Sequence, residues 1–216
     1  MKKTIKCLLN QFDTVFWDFD GVIKDSVEAK GAAFEQLFSG HDAEIVRKIK
    51  IHHLEFGGLS RFKKMPIYLS WSGLKANSAN IKKYCEDFSL IVKQLVINSP
   101  WVPGVLEYLE SHYKNKNFII ITATPKDEIV EILEELGISN YFKAVYGSPS
   151  SKLSLINDAV EKFQTKHESA IMVGDSRTDY EAAMNNNIFF ALRKTEHNQA
   201  FQNSLNCFKF KDFINE

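Results

Sequence analysis

The sequence predicts an α/β fold, in which a three-layer, Rossmann-like parallel sheet carries an inserted all-helical cap domain. After Pro100, short apolar runs alternate with helical patterns, which is typical of a parallel sheet covered by helices on both faces. Residues 26–97 show helical spacing and no strand-like run. One strand-like run, Thr14 to Trp17, precedes that segment and is expected to join the same sheet. We therefore expect residues 1–25 and 98–216 to form the core domain and residues 26–97 to form the cap.

Composition indicates an ordinary globular protein without excess charge of either sign. The 216 residues include 27 Lys+Arg and 27 Asp+Glu, and 44% are hydrophobic, which is enough to bury a core. This balance provides no extended positive field for a nucleic acid and no basic face for an anionic membrane. No run approaches the roughly 18 apolar residues of a membrane span, and the basic start is followed by too short an apolar run for a signal peptide. We expect a cytoplasmic protein, a monomer or weak homodimer, with no nucleic-acid or membrane partner.

The three cysteines indicate neither a disulfide framework nor a zinc site. Cys7, Cys85 and Cys207 are odd in number, far apart and form no CxxC pair. We expect buried or unreactive thiols.

The cap segment is expected to contain about four helices. Breaks fall at Ser39-Gly40, at Gly57-Gly58 and over residues 73–80. Pro66 is expected to limit the helix that contains it, because proline cannot donate a helical hydrogen bond.

The remaining elements follow in strict alternation. We predict, in order, a helix through Leu106 with Pro103 in its first turn, a strand at 118–121, a helix from Pro125 to a cap at Gly137, a strand at 144–146, a helix at 153–163, a strand at 170–173, a helix at 180–184, a strand at 188–191 and a last edge strand and turn within 208–213.

Acidic residues follow two of the predicted strands. Asp18 and Asp20 come directly after the first strand, where the pleat puts both carboxylates on one side. Asp175 and Asp179 follow the strand that ends at Val173. Carboxylates gathered at one sheet edge repel one another unless a cation lies between them, and Mg²⁺ prefers oxygen ligands. The four acids therefore predict a Mg²⁺ site at the carboxyl edge of the sheet.

Each acidic pair alone has simpler interpretations. Asp18 to Gly21 also fits a polar turn, or the metal-binding DxD of a nucleotide-sugar transferase, although that fold would not be expected to carry this helical insert. Asp175 is also a common helix-capping residue. A calcium EF-hand is excluded, because its fifth position would be Val22 and the glycine comes two places early.

A hydroxyl, main-chain amides and a lysine complete the same edge. Thr122 follows three isoleucines, and Lys152 lies at the expected start of a helix. Singly, these residues are typical of a cap and of a solvated side chain. Together with the amides of Ala123 and Thr124, they predict a phosphate cradle in which Lys152 also offsets the acids.

These residues resemble the four motifs of the haloacid dehalogenase superfamily, in the branch of phosphoglycolate phosphatases and β-phosphoglucomutases with a helical cap. The matching residues, in order, are Asp18-Phe19-Asp20-Gly21-Val22-Ile23-x-Asp25-Ser26, Thr122, Gly147-Ser148-Pro149-x-x-Lys152 and Gly174-Asp175-x-x-x-Asp179. The resemblance covers nearly the whole chain. One departure is Asn185-Asn186-Asn187, where relatives commonly have a glycine. Asparagine tolerates the left-handed conformation, so we expect the turn to be kept.

The resemblance implies a role for each motif residue. Asp18 would be the nucleophile that forms an aspartyl-phosphate, and Asp20 the general acid and base. Mg²⁺ would be held by Asp18, by Asp175 and by the main-chain carbonyl of Asp20, with Asp179 orienting these ligands. Because true dehalogenases use no metal and lack the second acid, Asp20 favours a phosphotransferase. The residues implied to bind the phosphoryl oxygens are Thr122 and Lys152.

Substrate specificity is expected to depend on the cap. Gly58-Leu59-Ser60-Arg61 is similar to the cap loop that reaches the substrate in sugar-phosphate mutases and phosphatases, so Ser60 and Arg61 are candidate contacts; a helix-capping Ser60 and a solvated Arg61 are the open alternative. His52 and His53 are adjacent and cannot share a helix face, so we expect no paired metal site, although one of them is a candidate to line the cleft. Lys30 and Lys64 are further candidates.

We expect a Mg²⁺-dependent phosphomonoesterase that acts on a small phosphorylated metabolite, a sugar phosphate or a phosphoglycolate-like acid. A sugar phosphomutase is the alternative, disfavoured because no histidine lies near Lys30, where the best-known mutases have one. A third alternative, a non-catalytic protein that binds a phosphometabolite, is disfavoured by the four intact acids.

Overall fold

A computed structural model describes residues 4–214 as a six-stranded sheet, entirely parallel, in the order β3-β2-β1-β4-β5-β6. The predicted α/β class and parallel sheet are confirmed. Residues 1–3 and 215–216, at the ends of the expected core domain, lie outside the described residues. The strands are β1 Thr14–Trp17, β2 Asn117–Pro125, β3 Ala144–Ser148, β4 Ala170–Gly174, β5 Phe189–Arg193 and β6 Phe208–Phe210.

Ten α-helices accompany the sheet in residues 4–214, and the first and last were not predicted. α1 is a short helix capped by Thr4, and α10 buries no residue, so neither has a long apolar periodicity. The helices are α1 Ile5–Leu9, α2 Val27–Leu37, α3 Ala43–Glu55, α4 Arg61–Trp71, α5 Ser78–Asn98, α6 Val105–His112, α7 Lys126–Glu135, α8 Lys152–Lys162, α9 Arg177–Asn185 and α10 Gln199–Ser204.

Both faces of the sheet are buried. Along β1, Val15 and Trp17 pack into one apolar cluster, whereas Phe16 packs into another on the opposite face. Ile132 of α7 belongs to the first cluster and Ile156 of α8 to the second. Because successive side chains of a strand point to opposite faces, this division shows that helices cover the sheet on both sides.

The segment between β1 and α6 contains four helices, α2 to α5, as predicted. Its aromatic centre is Phe34, whose ring stacks on Phe88 at a centroid distance of 4.0 Å and meets the edge of Tyr68 at 5.1 Å. The segment therefore has an apolar centre of its own. The division of the chain into domains at residues 26 and 97 stays a prediction.

The expectation that Pro66 limits its helix is wrong. Pro66 lies inside α4, which continues to Trp71. An internal proline removes one helical hydrogen bond and costs about 3 kcal/mol. Met65, Tyr68 and Leu69 on the same helix are fully buried, so packing offsets that cost.

Strand register brings the polar loops to one edge. Trp17 at the end of β1 pairs with Ile120 of β2 on one side and with Val173 of β4 on the other. Asp18, one residue further, therefore lies between the ends of both neighbours, and its amide donates to the Val173 carbonyl at 2.9 Å. The central position of β1 makes Asp18 the middle of the carboxyl edge.

None of the helices within residues 4–214 is both long and apolar enough to cross a membrane. The cysteines are free thiols: Cys85 is buried as expected, Cys207 is half-buried and Cys7 is exposed.

The turn after α9 keeps the expected left-handed residue. Asn187 has a φ of 53°, and we expect Asn187→Val to lower the free energy of unfolding by about 1–2 kcal/mol, because a β-branched side chain is strained in the left-handed region, which asparagine tolerates. Asn187→Gly should change it by less than about 0.5 kcal/mol.

Urea unfolding of these variants measures the effect, with Asn185→Ala, at the exposed last residue of α9, as the control. Equal stability of Asn187→Val and the unmodified protein would contradict the account.

Candidate active site

Asp18 is a buried carboxylate held from two directions. It follows β1, and 4% of the residue is exposed. Its Oδ1 accepts the Phe19 amide at 2.7 Å, and its Oδ2 lies 2.6 Å from Nζ of Lys152. These contacts fix the plane of the carboxylate without covering the side that faces the pocket, which Asp18 lines.

Lys152 connects two acids from different elements, Asp18 after β1 and Asp179 in the first turn of α9. It begins α8 after the capping residue Ser151, and its Nζ lies 2.6 Å from both Asp18 Oδ2 and Asp179 Oδ1. Both ion pairs are almost completely buried, and the two carboxylates raise the pKa of Lys152 against the opposing effect of burial. The expected proximity of Lys152 to the acids is therefore present.

Asp175 and Asp179 flank the start of α9. Asp179 is fully buried, and its Oδ2 accepts the amide of Ser176 at 3.1 Å. Asp175 packs against the loop after β1 so closely that a β-carbon on Gly21 would lie 2.2 Å from its Oδ2. Gly21, with a φ of +75°, is therefore required both by the turn and by this carboxylate.

Asp18, Asp175 and Asp179 form a cluster suited to a divalent cation. One carboxylate oxygen from each lies within 4.8 Å of the others. Burial, followed by the charge of Asp179, raises the pKa of Asp18 well above its usual value and the pKa of Asp175 to about 7. Ionising these groups together is costly, and an all-oxygen donor set fits a hard divalent cation that would offset the cost.

The carboxylate of Asp20 does not join that cluster. It accepts hydrogen bonds from Ser26 Oγ at 2.7 Å and Thr124 Oγ1 at 3.1 Å, and it forms an ion pair with Lys30 of α2. Burial alone would raise the pKa of Asp20, but Lys30 and these hydrogen bonds lower it below the usual value. Asp20 is thus an ionised group on the side of the pocket that faces the helical segment.

Thr122 and Ala123 lie in an irregular part of β2. This strand continues to Pro125, four residues beyond its predicted end, with a register shift after Ile121. Thr122 Oγ1 accepts the Thr124 amide at 3.2 Å. The expectation that the Thr124 amide is free for a phosphate is therefore wrong, because the bulge turns that amide onto Thr122, whereas Ala123 lines the pocket as expected.

A small pocket joins the sheet edge to the helical segment. Its space is about 40 Å³, where one water molecule needs roughly 10–15 Å³. The pocket therefore suits a compact ligand. Its lining residues are Asp18, Asp20, Val27, Lys30, Phe34, His53, Gly57, Gly58, Leu59, Arg61, Lys64, Phe88, Thr122, Ala123, Thr124, Lys152 and Asp175.

Arg61 borders this pocket, but its guanidinium is already bound. It forms a bidentate ion pair with Glu128 of α7 and donates to Ser89 Oγ, with both members of the ion pair buried. Ser60, 9% exposed, precedes α4 and makes no side-chain capping bond. Sequence reasoning missed Glu128, because an acid in the first turn of a helix is ordinary helix chemistry.

The two adjacent histidines have different environments. His53 is buried and lines the pocket, where its Nδ1 lies 2.9 Å from Nζ of Lys64. His52 instead contacts the Tyr68 hydroxyl at 3.0 Å. One of the two therefore reaches the cleft.

Removing Glu128 should destabilise the protein strongly. We expect Glu128→Ala to lower the free energy of unfolding by about 3–5 kcal/mol, because it leaves the buried Arg61 charge unpaired. Glu131→Ala is the matched control: Glu131 lies on the same helix and pairs with Lys93 at 2.8 Å, but that pair is exposed, so the loss should stay below about 1 kcal/mol. Denaturant unfolding measures both, and equal losses would contradict the account.

Lys64→Met should stabilise the protein, and more so at lower pH. Burial holds the pKa of Lys64 well below its usual 10.5, so the amine takes up a proton when the chain unfolds. The free energy of unfolding should therefore fall as the pH drops below about 10.5, by up to about 1.4 kcal/mol per pH unit. The Lys64→Met protein has no amine at this position, so its free energy of unfolding does not fall with pH for this reason. Unfolding at about pH 7 and pH 9.5 tests it, and a pH-independent difference between the two proteins would contradict it.

Comparison with known proteins agrees with this geometry. A family model described as haloacid dehalogenase-like hydrolase matches residues 15–192. Phosphoglycolate phosphatase of Vibrio parahaemolyticus is 28% identical over 181 residues, which are 79% of this chain and 78% of that protein. These findings confirm the predicted hydrolase family and support its assignment as a phosphatase.

Solved structures share the whole fold. CbbY of Rhodobacter sphaeroides, solved as a mutant in complex with xylulose-(1,5)bisphosphate, gives a TM-score of 0.76 at 12% identity over 94% of this chain and 95% of its own. A predicted phosphoglycolate phosphatase from Haemophilus somnus gives 0.74 at 18% identity over 94% and 95%. Because the family match spans most of its length, this chain belongs to the haloacid dehalogenase-like hydrolase family.

Proposed function

We propose that this protein is a Mg²⁺-dependent phosphomonoesterase that hydrolyses a small phosphorylated metabolite through an aspartyl-phosphate. The observation that carries the proposal is the buried Asp18 carboxylate, held 2.6 Å from Lys152 at the centre of the acidic sheet edge and lining the pocket. A carboxylate in this position is oriented for attack, and the lysine beside it offers positive charge to an incoming phosphate.

Asp18 acts as the nucleophile, and Asp20 acts as the general acid and then as the general base. An oxygen of Asp18 bonds to phosphorus while the ester P–O bond breaks, and the departing alkoxide takes a proton from the Asp20 carboxyl group. A water molecule then attacks the phosphorus of the aspartyl-phosphate and gives a proton to Asp20. Phosphate leaves, and the Asp18 carboxylate is restored.

The resting contacts of Asp20 suit the second of these steps. Its ion pair with Lys30 and its hydrogen bonds from Ser26 and Thr124 favour the ionised form, which accepts a proton. The first step needs a proton on the same carboxylate. We therefore expect Lys30 to release Asp20 when the leaving group enters the pocket.

The phosphoryl group is bound by Thr122, Ala123 and Lys152. The Thr122 hydroxyl can donate to a phosphoryl oxygen while it accepts the Thr124 amide, because a hydroxyl has one proton and two lone pairs. Lys152 has three protons, of which two face Asp18 and Asp179. The third remains for a phosphoryl oxygen.

The acidic cluster fits Mg²⁺ as the resident cation. Asp18, Asp175 and the main-chain carbonyl of Asp20 would hold it, and Asp179 would keep Lys152 and Ser176 in place. When bound, Mg²⁺ supplies positive charge against both the clustered carboxylates and the phosphoryl oxygens.

A compact substrate suits the pocket. The pocket's small volume favours a molecule of a few carbons attached to the phosphate. Similarity to a phosphoglycolate phosphatase over most of both chains makes phosphoglycolate-like acids the first candidates, with sugar phosphates next.

Replacing the nucleophile should abolish turnover. We expect Asp18→Asn to reduce phosphate release from 4-nitrophenyl phosphate and from a metabolite panel by on the order of 10⁴-fold, because the amide cannot form the covalent intermediate. Asp25→Asn is the matched control: Asp25 lies in the same loop but is half-exposed and pairs with Arg193, so activity should stay within about threefold. Turnover that survives Asp18→Asn would exclude the mechanism.

Product analysis tests the mutase alternative, in which the enzyme must shield the phosphorylated intermediate from water. A mutase would convert a sugar phosphate to its isomer with little free phosphate and would need a bisphosphate primer. We expect stoichiometric free phosphate and no isomer by phosphorus NMR.

A further inference from the structure

Lys64 is a buried amine, and among residues 4–214 its one hydrogen-bond partner is the neutral ring of His53. It lies on α4 with 1% of its surface exposed, and it lines the pocket. Its Nζ lies 2.9 Å from His53 Nδ1, and within residues 4–214 no carboxylate oxygen comes within 4.0 Å of it. Buried lysines are rare unless paired, because desolvation of the charge is costly.

The other basic side chains in the same pocket all have acidic partners. Lys30 pairs with Asp20, and Lys152 pairs with both Asp18 and Asp179. Arg61, the first residue of α4, pairs with Glu128 of α7. Among the four Lys and Arg residues that line the pocket, Lys64 alone has no counter-ion in the described part of the chain.

His53 holds Lys64 without neutralising it. His53 is 3% exposed, and its Nε2 lies near the Val27 main chain but forms no hydrogen bond of normal geometry. Burial and the charge of Lys64 lower the pKa of His53, and burial followed by the charge of Lys30 lowers the pKa of Lys64. Asp20, which opposes the shift of Lys64, is itself paired with Lys30. The pair therefore lacks an anion that would stabilise a proton.

We propose that Lys64, positioned by His53, binds a second anionic group of the substrate while Asp18 attacks the phosphate ester. This inference rests on the proposed phosphatase function and adds the chemistry of the remainder of the substrate. This second anionic group is an oxyanion, either a carboxylate or a second phosphate. A bound oxyanion supplies the missing counter-ion, so that the Lys64 amine takes up a proton and donates a charge-assisted hydrogen bond to it.

Pocket geometry limits how far apart the two anionic groups lie. Lys64 and the catalytic edge line one small cavity, and Lys64 is close enough to Asp20 for their charges to interact. A substrate that reaches both ends therefore has a short carbon chain between its phosphate ester and its second anion.

A matched set of two-carbon esters tests the subsite. The three substrates are 2-phosphoglycolate, 2-hydroxyethyl phosphate and ethane-1,2-diyl bisphosphate, which differ only in carrying a carboxylate, a hydroxyl or a second phosphate. We expect kcat/KM for one of the two anionic esters to exceed that for the hydroxyl ester by roughly 10- to 100-fold, the value of a charge-assisted hydrogen bond. The preferred ester identifies which oxyanion the subsite takes.

Lys64→Met should remove that preference selectively. We expect kcat/KM for the preferred anionic ester to fall by roughly 10- to 100-fold, while kcat/KM for the hydroxyl ester changes by less than about threefold. Lys63→Met is the matched control, because Lys63 is adjacent in sequence but exposed, and it should keep the preference. His53→Gln, which removes the ring that holds Lys64, should weaken the preference in the same direction.

The outcomes separate the two proposals. An equal loss for all three esters in Lys64→Met, accompanied by a lower melting temperature, would show a structural role and overturn the subsite. Turnover of all three esters at similar kcat/KM by the unmodified protein would overturn it as well and leave the phosphatase function standing. If no ester is hydrolysed, including 4-nitrophenyl phosphate with Mg²⁺, the proposed function fails and the subsite fails with it.

Discussion

Burial of several carboxylates at one sheet edge is the constraint on which the site depends, and Lys152 is the interaction that meets it. Asp18, in the loop after β1, and Asp179, in the first turn of α9, each have a carboxylate oxygen 2.6 Å from its Nζ. Desolvation and mutual repulsion raise the pKa of Asp18 and Asp175, so the cluster is electrostatically unstable without positive charge. The same instability makes the edge receptive to a divalent cation and to a phosphate accompanied by one.

The acids can lie this close together because glycines, which have no side chain, are their neighbours at two positions. A β-carbon on Gly174 would lie 2.3 Å from the β-carbon of Asp179, and one on Gly21 would lie 2.2 Å from Asp175 Oδ2. With β1 between β2 and β4, the loops from three strands converge on Asp18. The helical segment closes over them through contacts that include the ion pair of Arg61 with Glu128 and a hydrogen bond from the Thr178 hydroxyl to the Gly58 carbonyl.

Local pattern was enough to predict the sheet and the residues at its edge. Val15 to Trp17 and Ile119 to Ile121 are apolar runs whose buried strands follow directly from composition, and parallel topology brings their polar ends together. Side-chain pairing across sequence-distant helices was not predictable. The ion pair of Arg61 with Glu128 and that of Lys30 with Asp20 depend on how α2 and α4 lie over the edge, which no local spacing encodes.

Chemical trapping tests whether Asp18 is the residue that carries the phosphoryl group. The protein is quenched during steady-state turnover of its best ester with Mg²⁺, treated with borohydride and mapped by peptide mass spectrometry. Borohydride reduces an aspartyl-phosphate to homoserine, so the account predicts homoserine at position 18 and at no other position. Turnover that leaves Asp18 unmodified while another residue is reduced would contradict it.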